Sequence, residues 1–175
     1  SMVDSTKFYE RTLYMSQNGK RDDDFSVYVW KSEDYGTTWK DISNNIPLGT
    51  VNVIREDPVN QDILYVGTDD GRLWITKNDG GEWTEIVEGL AADRWMSRVE
   101  ASKFDEGTVY MSQNGKRDDD FSVYIWKSED YGASWTDISN NIPLGTVNVV
   151  REDPINQDIL YVGTDVGVYV TMNGG

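Results

Sequence analysis

"SEDYGTTW" (residues 32–39) reads as a tight turn running into a strand, and its frame returns as "TKNDGGEW" (76–83) and "SEDYGASW" (128–135). The frame is a hydroxyl residue, any residue, Asp or Asn, any residue, Gly, two further residues, then Trp. Its fixed positions are Ser32, Asp34, Gly36 and Trp39, then Thr76, Asn78, Gly80 and Trp83, then Ser128, Asp130, Gly132 and Trp135. Thr171, Asn173 and Gly175 fill the first three fixed positions of a fourth copy, on which the sequence ends. The carboxylate or amide at the third position can accept backbone N–H bonds across the turn, and the Gly permits a positive φ. The Trp anchors the following strand in a core. All of these roles are structural, and they are expected to outweigh contact with a metal or a sugar.

The motif is one part of a longer repeat. Residues 14–69 match residues 110–165 at an offset of 110 − 14 = 96, differing only at Val29/Ile125, Thr37/Ala133, Thr38/Ser134, Lys40/Thr136, Ile54/Val150 and Val59/Ile155. The offset extends backwards, where "SMVDSTKF" (1–8) aligns with "SRVEASKF" (97–104). A weaker repeat halves each unit, so that motifs start at 32, 76, 128 and 171. Self-similarity on this scale is the mark of propellers, solenoids and arrays. Between motifs, "TVNVIRE", "DILYVGT", "RLWITK" and "EWTEIVE" read as short strands separated by Asp-Pro, Asp-Asp-Gly and Asn-Asp-Gly-Gly turns. No helical periodicity is found. Strands that are apolar on both faces, such as Val27 to Trp30, need a sheet stacked on either side. The predicted fold is therefore all-β: a β-propeller of four-stranded antiparallel blades, about four in the chain, with approximate bounds 1–46, 47–92, 93–142 and 143–175. The first inner strand is expected within Met2 to Phe8, and the last blade is expected to lack its outer strand.

The motif frame resembles the Asp-box, or BNR repeat, of sialidase-like and sortilin-like (VPS10-type) propellers. The stretch "NGKRDDDFSVYVWKSEDYGTTW" is similar to bacterial sortilin-like proteins in particular. That resemblance implies a box at the turn between the third and fourth strands of each blade, and an extracytoplasmic parent. The near-identity of the two halves departs from the divergence usual among such blades, and it is read as an engineered or internally duplicated two-blade unit.

Composition narrows the function. A formal charge of −15 opposes nucleic acid and anionic membrane surfaces. No Cys and no His occur, which removes thiolate chemistry, the commonest metal ligand and the usual near-neutral acid–base group. No cofactor or metal is expected. Asp22, Asp23 and Asp24, with Asp118 and Asp120 in the second copy, are weak Ca²⁺ candidates that lack the spacing of an EF-hand. Arg55, Glu56, Arg151 and Glu152, after the innermost strands, are candidate channel-lining residues, with ion pairing at the strand ends as the preferred role. Internal near-symmetry duplicates every candidate acid or nucleophile, and that does not build one asymmetric catalytic centre. The chain is expected not to be an enzyme, and a glycosidase is the least favoured reading. A scaffold that closes its ring by pairing with itself, as a homodimer of eight blades, is favoured. The alternative is a fragment that binds a peptide or glycan.

Overall fold

The computed structural model describes residues 2–5, 11–18, 26–47 and 49–175. Among the described residues, fifteen strands form four antiparallel sheets in chain order. The first sheet holds β1 (Met2–Ser5), β2 (Leu13–Asn18), β3 (Val27–Ser32) and β4 (Lys40–Asp41); the second holds β5 (Val51–Glu56), β6 (Leu64–Thr68), β7 (Leu73–Thr76) and β8 (Thr84–Glu85). The third is β9 (Trp95–Ala101), β10 (Val109–Asn114), β11 (Tyr124–Ser128) and β12 (Thr136–Asp137). The fourth has three strands, β13 (Val147–Glu152), β14 (Leu160–Thr164) and β15 (Val168–Thr171). This is the four-blade, all-β architecture read from the sequence, with the fourth strand absent from the last blade. Among the described residues no helix is long and apolar enough to cross a membrane.

Two details differ from expectation. The first inner strand is described only over Met2–Ser5, and Thr6 to Phe8 lie outside the described residues. The outer strands are two residues long rather than seven. The reason lies just beyond them. In the first blade Ile42 still donates its N–H to the Val29 carbonyl, but Ser43 folds back on Asp41 through its N–H (2.8 Å). Its hydroxyl oxygen also accepts the Val29 N–H at 2.8 Å, so a side chain takes over where the ladder would continue.

Sheets stack face to face and bury apolar side chains from both partners. Between the first and second sheets lie Tyr14, Val29, Ile42, Ile54, Leu64, Val66 and Trp83. Between the third and fourth the same set, without a counterpart of Trp83, returns at the 96-residue offset: Tyr110, Ile125, Ile138, Val150, Leu160 and Val162. The middle interface differs, with Val53, Ile63, Tyr65, Leu73 and Ile75 of the second sheet against Met96, Val99, Ala101, Val109 and Met111 of the third. Strands such as β6 and β7 are consequently buried on both faces, which is why they read as continuous apolar runs.

Candidate functional site

Each motif folds into one turn whose side chains bond to the turn itself. In the first, Ser32 Oγ donates to Asp34 Oδ1 (2.9 Å) and accepts the Gly36 N–H (2.8 Å), while Asp34 Oδ1 accepts the Thr38 N–H (2.8 Å). Thr76 and Asn78 repeat this with Gly80 and Glu82, and Ser128 and Asp130 with Gly132 and Ser134. In the fourth copy Thr171 Oγ1 donates to Asn173 Oδ1 at 2.5 Å. The residue before each Gly is also left-handed, with φ of 58° at Tyr35, 55° at Asp79 and 63° at Tyr131. Hydrogen bonds from the Ser134 hydroxyl and N–H hold the exposed Asp130 carboxyl down at about 2, and Thr38 lowers Asp34 in the same way. The turns also seat the blades on one another. A side chain at Gly80 would collide with Ile42 of the preceding blade, and one at Gly175 with Ile138. Trp83 then crosses the same seam, donating its indole N–H to the Ile42 carbonyl (2.8 Å), as Trp135 does to Ile86 (2.9 Å).

The charged residues expected after the inner strands are instead the last residues within them, and they split by face. Arg55 and Arg151 approach Glu100 Oε2 at 3.6 and 2.8 Å, and Arg98 joins them at 3.0 Å. Three guanidinium groups from three blades thus share one buried carboxylate. Burial pushes the Glu100 carboxyl up, and the Arg55 and Arg151 charges pull it back. Glu56 and Glu152, one residue further along, are turned into the seams between blades. Glu56 accepts from the Tyr14 hydroxyl (3.3 Å), and Glu152 from Ser102 Oγ and the Lys103 N–H (both 2.7 Å). The period-two alternation of a strand explains the split. Sequence reading did not find Arg98 and Glu100. Their signal was the Arg-Val-Glu stretch of β9, where the aligned residues are Met2, Val3 and Asp4.

Asp22, Asp23 and Asp24 lie outside the described residues. Asp118 and Asp120 sit around a 3₁₀ turn (Lys116–Asp118) and both pair with Arg94, at 3.7 and 3.0 Å. Bonds from the Tyr124 hydroxyl and the Ser122 N–H pull Asp120 well below the usual carboxylate range. Among the described residues no group of three or more carboxylates gathers where a metal ion could be held.

The face of the fourth sheet that points away from the third carries exposed apolar side chains. Tyr161, Val168 and Val170 are 41%, 79% and 53% exposed. By strand register these match Tyr65, Leu73 and Ile75, all 3% exposed or less beneath the third blade. At the other end of the chain, Leu13, Met15 and Trp30 of the first sheet align with Val109, Met111 and Trp126, the residues that receive that face in the middle interface. Leu13, Met15 and Trp30 are half-buried.

Comparison with known proteins bears on these features. The profile of the Sortilin-Vps10 family ("Sortilin, neurotensin receptor 3") matches residues 27–122, more than half of the chain, and that of the BNR-Asp box repeat matches residues 125–138. Sortilin of Danio rerio is 25% identical over 116 residues, covering 65% of this chain and 13% of that protein. Among solved structures, an ancestral GH74 enzyme superposes with a TM-score of 0.74 at 21% identity over 99% of this chain and 23% of its own. The GH74 xyloglucanase from Xanthomonas campestris gives 0.74 at 17%, covering 99% and 28%. YCF48 bound to D1 peptide gives 0.59 at 12%, covering 95% and 54%. The chain therefore spans about half or less of each relative's length, and at these identities the structural likeness is one of fold.

Proposed function

The chain belongs to the Sortilin-Vps10 family, and from that premise we propose that it is a non-catalytic scaffold of Asp-box blades that builds a ring by docking copies of itself head to tail. One observation carries the reading: the exposed face of the fourth sheet is the residue-by-residue counterpart of a face that is buried inside this same chain. Tyr161, Val168 and Val170 of one copy would meet Leu13, Met15 and Trp30 of the next, as Tyr65, Leu73 and Ile75 meet the third blade. Covering a large apolar side chain gives roughly 1.5–3 kcal/mol, so three give about 5–9. That is of the same order as the cost of bringing two chains together. A single seam would thus be weak, but in a ring of two copies the second seam closes within the complex and is favoured by effective concentration. Two copies make eight blades. Such a contact is heterologous, and it closes only if the rotation per blade permits.

Catalysis has no part in the proposal. The hydroxyls and carboxylates of the boxes are engaged in their own turns, and the resemblance to GH74 enzymes is at the level of the blade. Duplication of the two-blade unit, natural or engineered, supplies a face and its receptor in one sequence. A second reading, a piece that binds a peptide or glycan, is supported by the convergence of three guanidinium groups from three blades on Glu100.

The test is the pair Val168→Asp and Val170→Asp, read by sedimentation equilibrium. Both positions are exposed in the single chain, so the circular dichroism spectrum should be unchanged while association is lost. Association that survives both carboxylates would rule out the fourth-sheet face as the docking surface.

A further inference from the structure

We propose that the seam between the second and third blades is tightened by acid: Asp57 holds a proton while that seam is closed, and its ionisation loosens the contact. Asp57 directly follows β5 and is 0% exposed. Its Oδ1 accepts the Val59 and Asn60 N–H groups, at 2.8 and 3.0 Å. Its Oδ2 is buried and has no hydrogen-bond partner among the described residues. The hydroxyl of Tyr65, on β6, shares that condition, and Tyr65 packs in one cluster with Val99, Val109 and Met111 of the third blade. Two polar groups are thus taken out of water without the bonds that would offset their burial.

The fourth blade carries nearly the same loop with its hydrogen bonds made. Residues 57–65 and 153–161 differ only at Val59/Ile155. There the Tyr161 hydroxyl donates to Asp153 Oδ2 at 3.0 Å. Bonds from the Ile155 and Asn156 N–H groups, with that hydroxyl, hold the Asp153 carboxyl below its ordinary value. In the second blade the hydroxyl is not supplied to the carboxylate, and burial pushes the Asp57 carboxyl up. Charge across the seam acts in the same direction. The titratable groups that face Asp57 are Tyr65 of β6, Glu106 in the turn between β9 and β10, and Tyr131 in the third box turn. Glu106 carries the like charge and is fixed at the seam. Its Oε1 accepts the Tyr131 hydroxyl (3.0 Å) and the Asn60 side-chain N–H of the second blade (3.1 Å). Lys77 lies over the Tyr131 ring, at 3.8 Å. An ionised Asp57 therefore sets a buried negative charge, with one oxygen unbonded, across the seam from Glu106. A proton on Oδ2 removes the charge and gives that oxygen a hydrogen to donate. With the folded value above the ordinary 3.8, this contribution is complete below 3.8 and is lost as pH rises through the folded value. Asp34 and Asp130, whose carboxyls are lowered, act with the opposite sign.

The experiment is hydrogen exchange of two indole N–H groups in the intact chain, followed by NMR at pH 4 and pH 8 and corrected for the intrinsic rate. Trp135 donates to the Ile86 carbonyl across this seam, and Trp83 to the Ile42 carbonyl across the first. Both bonds lie within one chain, so the result does not depend on docking between copies. Protection of Trp135 should be at least about fivefold lower at pH 8 than at pH 4, the effect of one unsatisfied buried acceptor, and that of Trp83 should not fall. Asp57→Asn keeps the acceptor for Val59 and Asn60 and puts a neutral donor in place of Oδ2. In that variant Trp135 should hold its acid-level protection at both pH values. The Asp57 carboxyl carbon resonance, identified by its loss in the variant, should titrate above 3.8. A titration at or below 3.8 would overturn the inference. So would Trp135 protection that does not change with pH, a fall shared equally by Trp83, or a fall that persists in Asp57→Asn.

Discussion

Replacing Trp83 by Ala tests whether the motif Trp is the fastener between blades. The side chain is 2% exposed, packs with Ile42, Leu64 and Val66, and holds the Ile42 carbonyl through its indole N–H. Truncating a buried Trp costs about 3–5 kcal/mol, with the Ile42 carbonyl left short of its donor as part of the loss. Taking about 4 kcal/mol and a urea slope near 2 kcal/mol per molar, the unfolding midpoint should fall by about 2 M. The melting temperature should fall by roughly 8–16 °C. Trp39 provides the internal control. It occupies the same motif position, but it is half-buried and its indole makes no hydrogen bond among the described residues. Trp39→Ala should therefore cost about 1–2 kcal/mol. Urea unfolding followed by circular dichroism, at a protein concentration low enough to keep the chain monomeric, measures both. Equal losses for the two variants, or a loss below about 1 kcal/mol for Trp83→Ala, would refute the reasoning, because the cost would then not depend on the seam.

Gly132→Ala should destabilise by about 1–3 kcal/mol, since φ there is 86° and an added Cβ would strike Ile86; thermal unfolding reads it, and a neutral result would mean the blades are not closely seated. Glu100→Gln removes the carboxylate shared by Arg55, Arg98 and Arg151 and should cost about 3 kcal/mol, partly recovered in added sulfate; a silent substitution would show that the three arginines do not depend on it. Asp130 titrates near 2 when folded, against an ordinary 3.8. Its contribution is therefore complete above about pH 4 and is lost as pH falls toward 2. Asp130→Asn, which copies the amide that the second box carries at Asn78, should leave neutral-pH stability nearly unchanged and flatten the loss over that window. An unaltered acid profile would contradict the assignment.

How much of this was legible in sequence depends on whether the signal was periodic. The 96-residue offset and the box frame carried the blade count, the sheet order and the three-stranded last blade, because a repeated supersecondary unit stacks on its neighbour in the same way each time. The outer strands were overread: "EWTEIVE" is a good strand by composition, but pairing stops after two residues, and in the first blade it stops where Ser43 turns the chain. The split of Arg55 from Glu56 follows from alternation and was within reach. The meeting of Arg55, Arg98 and Arg151 on Glu100 was not, because it depends on how three blades are rotated about one another and no local pattern encodes that. The exposed face of β14 and β15 was hidden for a related reason. Val168 and Val170 read as core, and only the structure shows that nothing among the described residues covers them.

Light scattering on the eluting protein, at two concentrations tenfold apart, tests self-docking most directly. One ring of two copies predicts a species of twice the 19.9 kDa chain mass, dissociating only on dilution. A mass of one chain at both concentrations would contradict it and leave the face of the fourth sheet without the partner assigned to it here.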